Sequence, residues 1–318
     1  MVVAFVHHTV LRKEAVAGLA IQPGGTYVDA TFGRGGHTAL ILQELAGSGQ
    51  VIAFDSDEAA ITAGHDRFAD QLAANQLVLV HDNFRHLSRV LHQVTTAPIR
   101  GVLYDLGVSS PQFDDPRRGF SYRFDSPLDM RMDQSQPLSA QTIINEWDQR
   151  ELTRIIHRYG EERFAGAIAK RIVARRASAP ITTTGELVEI IKEAIPAAAR
   201  RTGGNPAKRT FQAIRIAVND ELGALEDSLE EAVAVLGPGG RLSVITFQSL
   251  EDRVVKHVMQ KHATSDLPAD LPILGTPADV DLKLVTRKPI RPTETELEEN
   301  HRAHSARLRI AEKVMREN

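Results

Sequence analysis

The chain contains no cysteine. That absence removes disulfides, thiolate metal sites and cysteine nucleophiles, and it permits a reducing compartment without proving one. Aromatic residues are only 5% of the chain, with a single tryptophan, so any stacking surface must be built from few rings. No apolar run approaches the length of a membrane span. The apolar start, Met1–Val10, is short, is interrupted by His7 and His8 and has no basic segment ahead of it, so no secretory signal is expected. His7, His8, His81, His86 and His92 show no metal-ligand spacing with carboxylates, and no metal site is expected. Neither sign of charge is in large excess, with 38 Lys and Arg against 41 Asp and Glu. The default expectation is a cytoplasmic protein without a membrane partner.

With 318 residues, the chain exceeds what one core usually holds, and two structural units are expected. Its 42% hydrophobic and 25% charged residues are ordinary for a globular protein. The charge is unevenly spread. Pro111–Arg215 holds 18 Lys and Arg against 13 Asp and Glu, while the rest holds 20 against 28. A basic unit joined to an acidic one suggests that one of them binds a polyanion. A solvated helical surface accounts for the charge equally well.

The first third alternates short apolar strands with helices. Thr26–Thr31, Val51–Asp55, Leu77–His81 and Gly101–Leu106 read as strands, with a helix of about four turns expected from Ala59. This rhythm indicates a parallel, doubly wound sheet. It breaks at Ser109–Pro137, rich in Pro, Asp, Arg and Gly, which reads as a long loop of the kind that is usually functional. Helices follow at Gln149–Tyr159, Glu162–Ala177 and Thr184–Ala194, then a basic turn at Ala199–Arg209 and one long helix from Thr210 to Leu236. The sheet resumes after the turn Gly237-Pro-Gly-Gly240 with a strand at Arg241–Phe247, a helix from Leu250 to His262 and a linker at Ser265–Pro277. A strand pair, Leu282–Thr286 and Ala306–Ala311, closes it. The expected architecture is an α/β domain of residues 1–112 and 213–318, interrupted by a loop and an all-helical insertion at 113–212.

Ligands of open parallel sheets sit beyond the carboxyl ends of the strands. There, Gly33, Gly35 and Gly36 form a turn that lets backbone approach a ligand, and the next helix offers free N–H donors. A dinucleotide fingerprint requires Gly where Thr38 stands, so the strict dehydrogenase pattern fails. Asp55 ends the second strand, where a carboxylate suits ribose hydroxyls. Asp82, Asn83 and Phe84 end the third, where a polar group beside a ring suits adenine, and Asp105 ends the fourth. Each acid alone is more often a cap or turn former. Four strand ends with polar groups on one edge favour a site.

The Gly-Pro-Gly-Gly turn before a fifth strand, with a closing strand pair, is similar to the pattern of class I methyltransferases, and it ranks S-adenosylmethionine above NAD as cofactor. The resemblance then becomes specific. Asp29-Ala-Thr-Phe-Gly-Arg-Gly-Gly-His37 resembles the cofactor loop of the bacterial 16S rRNA (cytosine N4) methyltransferase family, also called MraW. So do Asp105-Leu-Gly-Val-Ser-Ser-Pro-Gln112, Arg118-Gly-Phe120, Pro127-Leu-Asp-Met-Arg-Met-Asp133 and Tyr159-Gly-Glu-Glu-Arg-Phe164. Arg209-Thr-Phe-Gln-Ala213 with Arg215, and Ser249-Leu-Glu-Asp-Arg253, continue the match in order over nearly the whole chain.

The resemblance implies a Rossmann-like class I methyltransferase fold, with cofactor contacts from Gly35, Gly36, His37, Asp55, Phe84, Asp105 and Gln112. It implies a helical insertion that serves RNA. The implied substrate is a cytidine in the decoding region of 16S rRNA, methylated on N4 within the small subunit or a late assembly particle. Two departures stand out. Gln248 replaces a family histidine and cannot act as a general base, and His301 and His304 interrupt a usual Asn-Pro-Arg-Ala-Arg type of run.

A cytosine amine is a poor nucleophile, so it must be positioned in line and have its protons accepted. Asp105 and the neighbouring backbone carbonyls at the end of the fourth strand are the best-placed acceptors, and pure cofactor anchoring is an equal alternative for Asp105. The target base must leave its stack. Phe113, Phe120, Tyr122 and Phe124 are candidates to stack on it or to anchor the loop. Arg200, Arg201, Lys208, Arg209 and Arg215 are candidates for phosphate contacts. The main alternative is a non-catalytic RNA-binding assembly factor that keeps the cofactor as a structural ligand.

Overall fold

The structure, a computed structural model, describes residues 9–201, 204–265 and 280–315. Most of the expected linker at Ser265–Pro277 and most of Met1–Val10, with His7 and His8, lie outside the described residues. The chain forms two compact units, Met1–Gly107 with Leu222–Asn318, and Val108–Glu221.

The first unit holds one seven-stranded sheet. Its strands are β1 (Thr26–Asp29), β2 (Gln50–Asp55), β3 (Leu77–His81), β4 (Ile99–Asp105), β5 (Leu236–Thr246), β6 (Leu282–Leu284) and β7 (Arg307–Lys313). Their order is β3-β2-β1-β4-β5-β7-β6. The first five run parallel, and β7 enters antiparallel between β5 and β6. This is the doubly wound sheet with a closing antiparallel strand that the resemblance implied. Successive side chains of a strand point to opposite faces, and here both faces are covered. Tyr27, Val51, Ala53 and Leu103 pack into one core, whereas Val28, Ile52, Phe54 and Val102 pack into the other. All eight are fully buried, which is why β1, β2 and β4 read as near-continuous apolar runs. Because β1, β2, β4 and β5 are adjacent and parallel, Asp29, Asp55, Asp105 and the residues after Thr246 lie on one edge of the sheet.

The second unit is built from the helices Ala140–Glu146, Gln149–Gly160, Ala165–Arg176, Thr184–Ala194 and Lys208–Asn219. Ser139, Asp148 and Thr183 cap three of them, each accepting from a backbone N–H in the first turn. Their inner faces bury Ile143, Leu152, Ile156, Ile168, Leu187 and Phe211 together.

Three local expectations are corrected. The helix expected from Ala59 is two, Glu58–Arg67 and Ala69–Ala73, divided at Phe68. The long helix expected from Thr210 to Leu236 is also two, Lys208–Asn219 and Glu221–Val235. Asp220 separates the latter pair in the left-handed conformation at φ 47°, which Asp tolerates better than most residues. The Asn219 side chain is spent on the loop instead, donating to the Met130 carbonyl and accepting from Met132 N–H, both at 2.8 Å. Finally, Ser109–Pro137 is not all loop. Ser109 and Gln112 form a capping box that starts the short helix Ser110–Asp114. Phe120, Leu128 and Met130 are buried with the helices, and the Arg118 guanidinium donates to the carbonyls of Arg131 and Met132 at 3.0 Å.

Candidate functional site

The glycine turn follows β1 and is held by a buried carboxylate. Asp29 accepts from Thr38 Oγ1 at 2.6 Å and from Thr31 N–H at 3.1 Å. Burial pushes its carboxyl up to about 6. Thr38, the residue that breaks the dehydrogenase pattern, is therefore the clasp of this turn. Packing alone explains two of the glycines. Gly35 has φ 69°, and a Cβ there would lie 2.6 Å from the Phe68 ring. A Cβ on Gly36 would overlap the Thr9 hydroxyl.

Asp55 ends β2 and closes back on the turn, accepting from Gly33 N–H at 2.7 Å and from Asp57 N–H at 2.9 Å. Burial, opposed by those bonds, leaves its carboxyl raised to about 6. Each carboxylate oxygen keeps a further lone pair, so the acceptor role for hydroxyls remains open to it. At the end of β3 the polar groups serve their own turn. Asp82 takes His86 Nδ1 at 2.8 Å and Arg89 Nη2 at 2.6 Å, and Asn83 Oδ1 accepts from Arg85 N–H. Phe84 stands edge-on to Tyr104, with ring centres 5.8 Å apart.

Asp105, at the end of β4, is the carboxylate on this edge with a buried oxygen that the described residues leave unmet. Its N–H donates to Thr31 Oγ1 at 2.6 Å, and its Oδ2 lies 3.6 Å from Nδ1 of the buried His37. Its Oδ1 is buried with no hydrogen-bond partner among the described residues. Burial first, then the charges of Asp29 and Glu251, push its carboxyl up to about 8. A buried acceptor left unmet costs stability, so such atoms call for an explanation in function or strain. Beyond β5, the buried Glu251 accepts from Phe247 N–H at 2.8 Å and Gln248 N–H at 3.1 Å, fixing the backbone after the strand.

The structure thus brings Gly35, Gly36, His37, Asp55 and Asp105 to one edge, with Phe84 following the neighbouring strand β3. Gln112 belongs to the second unit, where its side chain accepts from Ser109 N–H at 3.1 Å. Sequence reasoning gave no role to Asp29, Thr31 or Glu251. The signal was present for Asp29, a carboxylate inside an otherwise apolar strand end, but its contact with Thr38 spans a turn that sequence spacing cannot close.

In the second unit, Arg200, Arg201, Lys208 and Arg209 are exposed, and Arg209 also donates to the Glu161 carbonyl at 3.2 Å. Arg215 differs from them. It is largely buried in a two-pronged pair with Glu221, at 2.8 and 2.9 Å. Of the loop aromatics, Phe120 is buried, Phe113 and Tyr122 pack on the same core, and Phe124 is 46% exposed. Among the described residues no three His, Asp or Glu side chains group as metal ligands, and no helix is long and apolar enough to cross a membrane.

Comparison with known proteins adds the following. The profile of the MraW methylase family matches residues 4–314. The ribosomal RNA small subunit methyltransferase H of Limosilactobacillus fermentum is 59% identical over 312 residues, covering 98% of this chain and 99% of the relative. The protein of the same name from Lactobacillus johnsonii is 54% identical over 314 residues, with the same coverage. Among solved structures, an rRNA methylase from Streptococcus thermophilus aligns with a TM-score of 0.41 and 15% identity, over 95% of this chain and 93% of that one.

Proposed function

The chain belongs to the MraW methylase family, and from that premise we propose that it transfers a methyl group from S-adenosylmethionine to the exocyclic N4 of a cytidine in 16S ribosomal RNA. The observation that carries this reading is the similarity, at 59% and 54% identity over 98% of this chain, to two ribosomal RNA small subunit methyltransferases H. The substrate setting is the small ribosomal subunit or a late assembly particle, and the compartment is the cytoplasm.

The sheet edge fits the cofactor. Asp55 offers acceptors for hydroxyls, Phe84 a ring for adenine, and the carboxylates of Asp29 and Asp105 a negative field for a cation. When bound, the cofactor supplies a methyl group on a sulfonium, already a strong electrophile. The chain's task is to present the amine. Asp105 Oδ1, buried and unmet, accepts one N–H of that amine and draws electron density toward nitrogen. With the amine presented there, Asp105 would be a carboxylate able to take up the proton that the nitrogen gives up on methylation. A neighbouring cation lowers its pKa from about 8 and favours the carboxylate needed for this. In the second unit, the exposed Arg200, Arg201, Lys208 and Arg209 position RNA through its phosphates, whereas Arg215 serves Glu221.

The test is mass-spectrometric mapping of methylated nucleosides in small-subunit rRNA with and without this protein. Loss of one N4-methylated cytidine, restored by the purified protein and S-adenosylmethionine, is the expected result. An unchanged map would leave a non-catalytic assembly factor as the reading.

A further inference from the structure

Two of the motifs singled out in the sequence, Tyr159–Phe164 and Arg209–Ala213, lie 45 or more residues apart in the chain, yet they meet at one corner of the second unit. The Gln212 amide donates to the Tyr159 carbonyl at 2.9 Å, and Arg209 donates to the Glu161 carbonyl. The approach is so close that a Cβ on Gly160 would lie 2.7 Å from the Arg209 carbonyl oxygen. The two segments are therefore closely packed.

The corner's outer surface carries four bases beside one exposed acid, Glu161. Arg158, Arg163, Lys208 and Arg209 are all exposed, and none is ion-paired to a carboxylate among the described residues. Some other bases of this unit are paired, Arg131 with Asp129, Arg154 with Glu151, Arg171 with Glu193 and Arg215 with Glu221, while others such as Arg150 and Lys170 are exposed without a ring beneath them among the described residues. At the corner the guanidinium groups lie over rings instead. Arg163 sits 4.6 Å above the Phe164 ring centre, and Arg158 5.9 Å from that of Tyr159. The Phe164 ring packs, partly buried, against the helical core, and its backbone N–H donates to the buried Glu162 at 2.9 Å. The ground beside the stack is bare: Gly166 and Ala167 are exposed, and a Cβ on Gly166 would meet nothing within 4 Å.

A planar cation fixed over an aromatic ring, open on its outer side and flanked by unpaired cations, matches how unpaired nucleobases and their phosphates are held. We infer that this corner is a docking platform for single-stranded RNA, with one unpaired base stacked on the Arg163 guanidinium and neighbouring phosphates on Arg158, Lys208 and Arg209. The inference rests on the RNA reading above and assigns that RNA its strandedness and contact point. A duplex keeps its bases stacked on one another and gains only the phosphate contacts.

The experiment compares a short single-stranded RNA with a blunt duplex of equal length, by fluorescence anisotropy over a range of salt. Arg163→Lys keeps the charge and removes the flat guanidinium at an exposed position. It should weaken single-strand binding roughly 5-fold or more, leave duplex binding unchanged and keep the salt slope. Lys208→Gln should weaken both RNAs alike and flatten the slope by about 0.7–0.9. An unchanged melting temperature in each variant confirms an intact fold. Wild-type single-strand affinity in Arg163→Lys, or equal losses on both RNAs, overturns the platform while the methyltransferase reading stands. A wild-type protein that binds neither RNA overturns the platform and the RNA role given to the second unit.

Discussion

The two units differ in their buried acids, although the sheet unit too has acids held low by cationic partners, Asp82, Glu230, Asp252 and Asp281. The sheet unit turns carboxylates inward, at strand ends where burial raises Asp29, Asp55 and Asp105. The helical unit turns cations outward, and its shifted acids are held low by partners: Asp129 by Arg131, and Glu186 by the backbone N–H groups of Thr182 and Thr183. Buried carboxylates cost stability and are kept where a cationic or hydrogen-bonding ligand compensates them. Exposed unpaired cations cost little and attract a polyanion from a distance. The contrast is the one expected if the first unit takes a small ligand and the second a polyanion, and changing residues on either side of it tests that reading.

The largest effect is expected at Asp105. Asp105→Asn keeps the shape and exchanges a charged acceptor for a neutral group that also carries donors. Single-turnover rates at saturating S-adenosylmethionine and RNA should fall by roughly 10²-fold or more. Only interactions that strengthen in the transition state change that rate, so recovery at saturating cofactor would reduce Asp105 to an anchor.

Next comes the outward face of the helical unit. Replacing Arg200, Arg201, Lys208 and Arg209 together by Glu should weaken RNA binding by roughly 10- to 1,000-fold and flatten its salt dependence, with cofactor affinity unchanged by calorimetry. Arg215→Ala should behave differently. Truncating one side of a largely buried pair leaves Glu221 without its partner and lowers the melting temperature by several degrees, while the RNA salt slope stays as it was. A changed slope in Arg215→Ala would blur the distinction between the two kinds of arginine.

What the sequence made legible follows from range. Short continuous apolar runs and glycine turns are local, so the parallel strands, their order of appearance and the edge carrying Asp55 and Asp105 could be read directly. The helix break at Asp220 could not. Nothing within Thr210–Leu236 interrupts the helical period, and the break is stabilised by Asn219 reaching Met130 and Met132 across some 87 residues. Thr38 was read as a defect in one motif and proves to be the partner of Asp29. Arg215 looked like its neighbours, because a one-dimensional count of bases cannot see Glu221 folded against it.

A smaller effect is expected at Asp55, whose oxygens already hold the Gly33 and Asp57 N–H groups. Asp55→Ala should weaken S-adenosylmethionine by about 1.5–3 kcal/mol in calorimetry, the range for hydrogen bonds to a charged group. Unchanged affinity would make this carboxylate a clasp of the glycine turn and remove it from the ligand side of the comparison.

The smallest and most diagnostic effect is on stability against pH. Asp29, Asp55 and Asp105 have folded-state values near 6, 6 and 8, above the value of about 4 expected unfolded. A raised carboxyl binds its proton more tightly in the folded state. Its contribution is fully present below the unfolded value and is lost as pH rises through the folded one. Asp129 and Glu186 work the other way, stabilising above their unfolded values and failing as pH falls. Between about pH 6 and 9 the carboxylate share of any stability loss therefore comes chiefly from Asp105, with tails from the other two. Asp105→Asn should raise the melting temperature of the ligand-free protein by a few degrees at the upper end of that window and flatten its decline. Asp129→Asn should lower the melting temperature across the same window and leave the slope alone. Melting curves of the three proteins, taken in steps of pH without cofactor, read this directly. A slope in Asp105→Asn equal to that of the wild type would mean that the orphaned oxygen is not a stored cost, and that the inward-facing charge of the sheet unit is settled without a ligand.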